Sequence, residues 1–415
     1  MNRAMILLFA VSLSSFLYAG ERCEVWEIDG ADSRFEIQLK RAATSLSFQG
    51  IPEGTNLSVV IDGKRLFYLE INHHLEGNNS NLILSDKPFS NVLLLNPQKV
   101  PINGMLKCYD ASYSDITFRE VTKARAAFKK GKCDLPPVID QDVWRKDLQD
   151  PKPNPATTKV EHIVVHHSAT TNDVSDYLLA VRNIYLYHVN SNGWDDVGYN
   201  FLIDPNGVLY AGRDGQGTED DNIRGAHFCA KNSNTMGICL IGNYSEIPPP
   251  DTLIHTLSQL LAWKVKKESL QPLESSFHPR GSSTGFILPT ICGHRDGYKA
   301  GVYSGCNTEC PGNYTYELMD TVRNIVVDHL LDCDYVVGSN DLDAHSSIRV
   351  NHLPGQLVIV PEEHGQLYIY DALGKQWLNK RVENHLSEVI SLPKGVYVLH
   401  LETREGARWQ KTLVR

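Results

Sequence analysis

The hydrophobic period changes twice along this chain, and each change falls beside a break in composition. Before residue 130, apolar and polar residues alternate in short runs such as Leu57-Ser58-Val59-Val60-Ile61 and Leu66-Phe67-Tyr68-Leu69-Glu70. The turn signals Asp62-Gly63 and Gly77-Asn78-Asn79 separate them. Short strands at this spacing predict a β-sandwich-like domain over 21–130. Leu135-Pro136-Pro137 and Asp150-Pro151-Lys152-Pro153-Asn154-Pro155 then bracket a piece holding Trp144. Proline at this density predicts an extended, semi-rigid linker over 131–158.

Over 159–335 strand and helix patterns interleave. Residues 160–166 read as a buried strand, 199–210 as a hairpin turning at Asp204-Pro205-Asn206-Gly207, and 236–241 as another strand. Residues 173–190 carry apolar side chains at 174, 177, 178, 181, 184 and 185, which is helical spacing. Helices are also predicted over 251–270 and 313–331, with Asp251 and Asn313 as N-caps. Interleaving of this kind implies an α/β layer domain, a mixed central sheet flanked by helices. After a polar linker at 336–347, short strands at 356–360, 366–370, 388–392 and 396–401 predict a small C-terminal β-sandwich over 348–415.

Charge and cysteine content narrow the function. The 40 basic and 49 acidic residues give a net charge of −9, with no run of Lys and Arg, so nucleic acid is not an expected partner. Arg3, the apolar stretch 5–17 and the small residues Ala19 and Gly20 predict a secretory signal over 1–20. No other segment reaches eighteen apolar residues, so no membrane span is expected in the mature chain. Nine cysteines in an exported chain predict disulfides, and the odd number leaves one thiol over.

Three residues have the chemistry of a metal site. His166 ends an apolar strand in Val164-Val165-His166-His167-Ser168, His294 follows another in Ile291-Cys292-Gly293-His294-Arg295-Asp296, and Cys310 lies in Thr308-Glu309-Cys310-Pro311-Gly312. Two imidazoles and a thiolate leave zinc one open tetrahedral position, the pattern of a catalytic site. On residue type alone a histidine at a strand end is more often a packed or solvated one than a ligand. His73-His74 is a tempting pair, yet neighbours on a strand point to opposite faces.

The context of these residues resembles the zinc N-acetylmuramoyl-L-alanine amidase and peptidoglycan-recognition protein superfamily, over about 160–330. The resemblance rests on His166-His167-Ser168-Ala169, Tyr187-His188 and the run Asn192-Gly193-Trp194-Asp195-Asp196-Val197-Gly198-Tyr199-Asn200. It continues through Gly212-Arg213, Gly225-Ala226-His227, Ile241-Gly242-Asn243, Gly293-His294-Arg295-Asp296 and Thr308-Glu309-Cys310-Pro311-Gly312. It implies Zn2+ held by His166, His294 and Cys310, with Tyr199 and Thr308 as catalytic hydroxyls. It implies that His167, His188 and His227 line or support the substrate groove and that Arg213 pairs with a stem-peptide carboxylate. Packing of Tyr199 in the sheet, and solvation of Arg213, are the plainer readings of those two residues. Trp194 and Asn243 read as fold residues, and Asp296 as either a structural residue or a partner for a metal-bound imidazole.

One departure from the family pattern is an extra loop, 298–307, between the second histidine and the cysteine. The loop carries Cys306, and a Cys292–Cys306 disulfide is the expected tie. The rival arrangement has Cys306 on zinc and Cys310 paired, and the Cys-Pro-Gly setting of Cys310 argues against it. The reaction implied is attack of zinc-activated water on the amide between N-acetylmuramic acid and L-alanine, with peptidoglycan as partner. No His-Glu-x-x-His motif is present, so a thermolysin-like base is excluded. The alternative from another class is a peptidoglycan-binding protein without hydrolysis, since one fold serves both; a surface adhesin with a vestigial amidase domain is a further one.

Residues 348–415 resemble type IX secretion sorting domains, through Ile369-Tyr370-Asp371-Ala372-Leu373-Gly374-Lys375, Leu392-Pro393-Lys394-Gly395-Val396-Tyr397 and the ending Lys411-Thr412-Leu413-Val414-Arg415. An ordinary accessory β-domain is the plainer reading. The resemblance implies the type IX machinery as a partner, and a secreted or cell-surface destination reached through the periplasm.

Overall fold

The computed structural model describes every residue except 1–14, 17–21, 72–77, 114–115, 117–132, 154, 214–221, 229–230, 280–284, 298–307, 334–347, 354–355, 362, 372–374, 384–385, 387, 394, 404–405 and 415. Most of the predicted signal, His73-His74, Cys306 with its loop and the linker at 336–347 therefore lie outside the described residues. The chain divides into two compact units, Met1–Val326 and Val327–Arg415. Among the described residues, no helix is long and apolar enough to cross a membrane.

The first unit opens with β1 (Ser15–Phe16), β2 (Cys23–Gly30), β3 (Arg34–Gln49), β4 (Ser58–Ile61), β5 (Arg65–Tyr68), β6 (Ile83–Leu95) and β7 (Ile102–Tyr109). These form one antiparallel sheet in the order β1-β2-β7-β3-β6-β4-β5, not the two stacked sheets that alternation predicts. The reason lies in β3 and β6, which run for 16 and 13 residues with register shifts between Gln38 and Ser45. Irregularities of this kind bend strands, and the sheet's apolar side chains end in two separate cores. Leu46, Phe48, Val59, Leu94 and Leu106 pack among themselves. Leu82, Leu84, Tyr109 and Ala111 join a different core, shared with the rest of the unit.

That second core belongs to a six-stranded sheet. Its members are β8 (Val138–Ile139), β9 (His162–His167), β10 (Phe201–Ile203), β11 (Leu209–Ala211), β12 (Thr235–Leu240) and β15 (Ile291–Gly293), in the order β15-β9-β12-β10-β11-β8. A separate hairpin pairs β13 (Ser275–His278) with β14 (Phe286–Pro289). Strands β15, β9, β12 and β10 are parallel, and β11 turns back against β10 through Asp204–Gly207. Part of the predicted linker is a member of this sheet: β8 pairs with β11, and α1 (Gln141–Trp144) ends on a fully buried Trp144. The Trp144 Nε1–H donates to Ala211 O at 2.7 Å.

Helix α2 (Tyr177–Asn190) starts where Asp176 accepts the Leu179 N–H at 2.9 Å, a side-chain N-cap three residues later than the periodicity predicts. Residues 179–188 are all buried, the condition of an interior helix. Even Arg182 has no exposed surface; its guanidinium donates to the carbonyls of Ala111 (2.8 Å), Trp144 (2.6 Å) and Lys146 (2.8 Å), which satisfies the buried charge. The first sheet grips the same helix. Thr44 and Ser45 hydroxyls donate to Asn183 Oδ1 at 2.9 and 2.7 Å, and Asp86 accepts from Ser175 N at 2.9 Å and Ser175 Oγ at 2.8 Å. Helix α3 (Asp251–Lys267) covers the other face: Leu202 on β10 packs in the α2 core, while the next side chain back, Phe201, meets Trp263 at 5.9 Å. The predicted helix over 313–331 is two, α4 (Asn313–Glu317) and α5 (Met319–Leu331).

The second unit carries a three-stranded sheet of β16 (Ile348–Leu353), β17 (Gln356–Pro361) and β20 (Glu388–Ser391). A four-stranded sheet is built from β18 (Gly365–Asp371), β19 (Gln376–Val382), β21 (Gly395–Thr403) and β22 (Gly406–Val414). Leu357 and Ile359 of one sheet share a core with Leu367, Ile369, Leu399 and Leu401 of the other.

The cysteine expectations need correcting. Cys133 and Cys333 are disulfide-bonded, but Cys23, Cys108, Cys239, Cys292 and Cys310 are all free and buried. Cys292 is not paired with Cys306: its strand directs the thiol into an apolar cluster with Val164, Phe228 and Leu288. Five free thiols also remove the parity argument, because a leftover cysteine no longer singles out Cys310.

Candidate metal centre

Parallel register builds the centre. Gly293 on β15 lies opposite Val165 on β9 and Cys292 opposite Val164, so the next residue on each chain brings His294 beside His166. Both stand at the carboxyl ends of adjacent parallel strands, where open α/β sheets bind ligands. His166 also lies opposite Cys239 of β12, on the sheet face that carries α2. The third donor arrives on a loop. Arg295 N donates to Cys310 O at 2.9 Å, Thr308 Oγ1 accepts the Cys310 N–H at 3.1 Å, and His167 N–H points at Cys310 Sγ at 3.4 Å. Gly312 makes this approach feasible: its φ is +88°, and a Cβ there would sit 2.3 Å from the Tyr244 backbone.

The donor atoms of His166, His294 and Cys310 all lie within 4.8 Å of one another, and all three residues are buried. His166 Nδ1 is 3.1 Å from His294 Nδ1 and 3.6 Å from Cys310 Sγ. Tetrahedral zinc with bonds of about 2.05 Å to nitrogen and about 2.3 Å to sulfur has N–N and N–S edges of about 3.4 and about 3.6 Å. The set fits that ion. Burial holds the Cys310 thiol well above its ordinary value, against the lowering effect of the His167 N–H; a coordinated cation is what deprotonates a thiol in such surroundings.

Behind the ligands, His166 Nε2 is 2.9 Å from His227 Nδ1. Burial, with Arg213 and His278 nearby, brings the His227 pKa down to about 3, so its ring is neutral and its Nδ1 can accept a hydrogen bond from the His166 Nε2–H. His227 thus orients a donor ring, the usual task of an outer partner. Glycine at 237 allows it, since a Cβ there would meet the His227 ring at 2.5 Å. We expect His227→Leu to weaken zinc affinity by about 10–100-fold while the protein stays folded. Competition titration against a chromophoric chelator checks this, and an unchanged affinity would show that His166 needs no such support.

Beside the donors runs a small cleft lined in part by Tyr187, His188, Trp194, Tyr199 and His227. The Tyr199 ring is 5.3 Å from that of His166. Burial first, then the thiols of Cys239 and Cys310, hold its phenol well above the ordinary value, so it stays an O–H donor. The sequence reading did not single out Cys239, whose thiol donates to Leu240 O at 3.8 Å. His188 is brought down to about 3 by burial and then by Arg213; its Nδ1 accepts the Gly198 N–H at 3.0 Å, which leaves Nε2 protonated.

The remaining expected residues are not among those lining this cleft. His167 turns its ring to the Tyr244 N–H at 3.1 Å. Arg213 donates its Nε–H to Val197 O at 2.7 Å, and one N–H each of Nη1 and Nη2 to Arg224 O and Asp196 O at 3.3 and 3.5 Å. Thr308 serves the Cys310 backbone. Asp296 takes the structural of its two expected roles: it accepts the Gly293 N–H at 2.8 Å and the Tyr316 hydroxyl, bracing the turn that carries His294. Trp194, read as a fold residue, lines the cleft, and so does Leu82 from the first sheet.

Residues 156–313, which carry the three donors, are similar to known proteins. The family described as N-acetylmuramoyl-L-alanine amidase matches residues 156–313. Peptidoglycan-recognition protein SC2 of Drosophila simulans is 30% identical over 167 residues, 40% of this chain and 75% of that protein. Peptidoglycan-recognition protein SC1a of Drosophila melanogaster is 32% identical over 162 residues, 38% and 70% of the two chains. Among solved structures, wild-type Drosophila PGRP-LB aligns with a TM-score of 0.34 and 25% identity, over 44% of this chain and 92% of that one.

Proposed function

Because the chain belongs to the N-acetylmuramoyl-L-alanine amidase and peptidoglycan-recognition protein family, we propose that it hydrolyses the amide joining N-acetylmuramic acid to the L-alanine of the peptidoglycan stem. The reading is carried by one observation: two Nδ1 atoms and a thiol at zinc-edge distances, with a protonated phenol beside them. When bound, zinc supplies Lewis acidity, lowering the pKa of water toward about 7 and polarising a carbonyl.

The chain's own groups do the rest. His166, His294 and Cys310 hold the ion, and His227 fixes the first of them. The Tyr199 phenol, kept protonated by burial, donates to the oxyanion that forms as the amide carbonyl is attacked. Thr308 Oγ1 accepts the Cys310 N–H, which leaves its own O–H to serve as the second hydroxyl donor. Arg213 braces the loop before Tyr199 through Val197 O. Residues 348–415, as a sorting module, would take the enzyme to the cell surface or beyond.

The test is mass spectrometry of purified peptidoglycan after digestion. Stem peptides with a free N-terminal alanine are expected, absent with a chelator and restored by zinc. Tight binding without any such peptide would turn the reading to recognition alone.

A further inference from the structure

The cleft is not walled by the family region alone. Leu82 lines it, and Leu82 lies 74 residues before the family match begins at 156. It immediately precedes β6, on the side of the first sheet that joins the α2 core, with only 2% of its surface exposed. Its neighbours in the lining are Ile184 and Tyr187 of α2. The first sheet fixes these as well. Tyr187 donates its hydroxyl to Ser80 O at 3.2 Å, and Leu84 N donates to Thr171 Oγ1 at 3.3 Å. Charge is absent from the lining. No Asp, Glu, Lys or Arg is among its lining residues.

A wall of Leu82, Ile184 and Tyr187 cannot pair with a carboxylate or an ammonium, but it can enclose a small alkyl group. We propose that the first sheet is part of the substrate site, and that Leu82 sets the size of the alkyl branch accepted next to the scissile amide. This rests on the amidase reading above. Two such branches flank that bond, the lactyl methyl on one side and the alanine methyl on the other, and they share the same chemistry.

The test uses the full chain and a panel of N-acetylmuramoyl-X-D-isoglutamines with X = Gly, Ala, Val or Leu. A second series varies the ether from glycolyl to lactyl to 2-oxybutyryl. Both kcat/KM and Kd are measured for the parent, Leu82→Ala, Leu82→Phe and Ile83→Ala. Ile83 is the neighbour buried on the other side of the sheet, and controls for loss of packing. A methylene in an apolar pocket is worth about tenfold or more in discrimination. Leu82→Ala should therefore raise the preference for the larger branch over the native one by about tenfold in one series. Leu82→Phe should shift it the opposite way, and Ile83→Ala should leave it within about twofold, well below the worth of a methylene. The series that responds identifies the branch. Unchanged ratios in both Leu82 variants, or an equal shift in Ile83→Ala, would overturn the proposal. If the parent cleaves nothing, the amidase reading fails on its own and the same ratios are read from Kd. Failure to bind any member overturns both.

Discussion

Cys310→Ser is expected to abolish amide cleavage and to leave the purified protein with little zinc. Serine preserves the shape of a side chain that has no exposed surface and keeps a group to receive the His167 N–H. The fold should therefore persist. What is lost is the thiolate, which at neutral pH a hydroxyl cannot replace as a ligand. Losing about 4 kcal/mol of charge stabilisation corresponds to about a thousandfold in rate. The checks are turnover on muropeptide, metal content by mass spectrometry and the thermal midpoint. Parent-like turnover with parent-like zinc content would falsify the assignment of Cys310 as ligand. Loss of turnover with a collapsed midpoint would instead make Cys310 a packing residue, and Cys292→Ser, a buried thiol outside the donor set, gives the scale for that effect.

How much of this was legible beforehand depends on which physical signal each part leaves in the sequence. The parallel strands do leave one: the apolar runs ending in His166 and preceding His294 read as buried strands, and the observed β9 and β15 put these residues at adjacent strand ends. The hairpin around Asp204–Gly207 was equally plain, because its turn chemistry is local. Alternation in the first region gave the strands but not their cover. It names the buried face of a strand and is silent on whether a sheet or a helix lies against it. Nothing local could say that α2 would fill that role, or that Leu82 would reach a cleft otherwise built from residues beyond 156. The linker reading failed for a related reason. Proline predicts the extended course of the chain correctly, yet an extended segment can pair at a sheet edge, and Val138–Ile139 does so with Trp144 buried behind it.

The role of histidines was the least legible part of the centre. His166, His167, His188 and His227 all fall in family-like blocks, but their tasks are set by what faces each ring nitrogen. His227 proves to stand behind His166, while His167 and His188 accept from backbone N–H groups. Such partners come from residues distant in sequence or from loops whose course is not local. The same holds for Arg213, whose Nε–H goes to Val197 O, a partner sixteen residues away.

Tyr199→Phe should separate chemistry from metal binding, because it removes one oxygen and nothing else. The ring remains to pack 5.3 Å from His166, so the donor triangle and its zinc content should be unchanged. Removing a single oxyanion donor costs about 10²–10³-fold in kcat in comparable sites. A loss of that size, with KM nearly constant, is expected here, since the phenol is asked to act on charge that appears only as the carbonyl is attacked. The pH profile carries a further sign. The phenol's pKa is raised, so between about pH 5 and 9 it stays protonated in the parent. The substitution should therefore lower the whole profile without moving its limbs. A phenylalanine variant with full kcat would return Tyr199 to the plainer reading, an aromatic packing the sheet, and would leave the oxyanion to be met by another donor in the cleft. The protonated His188 Nε2 is the first to examine, because its ring lies 5.5 Å from that of Tyr199 and its other nitrogen is already held by Gly198.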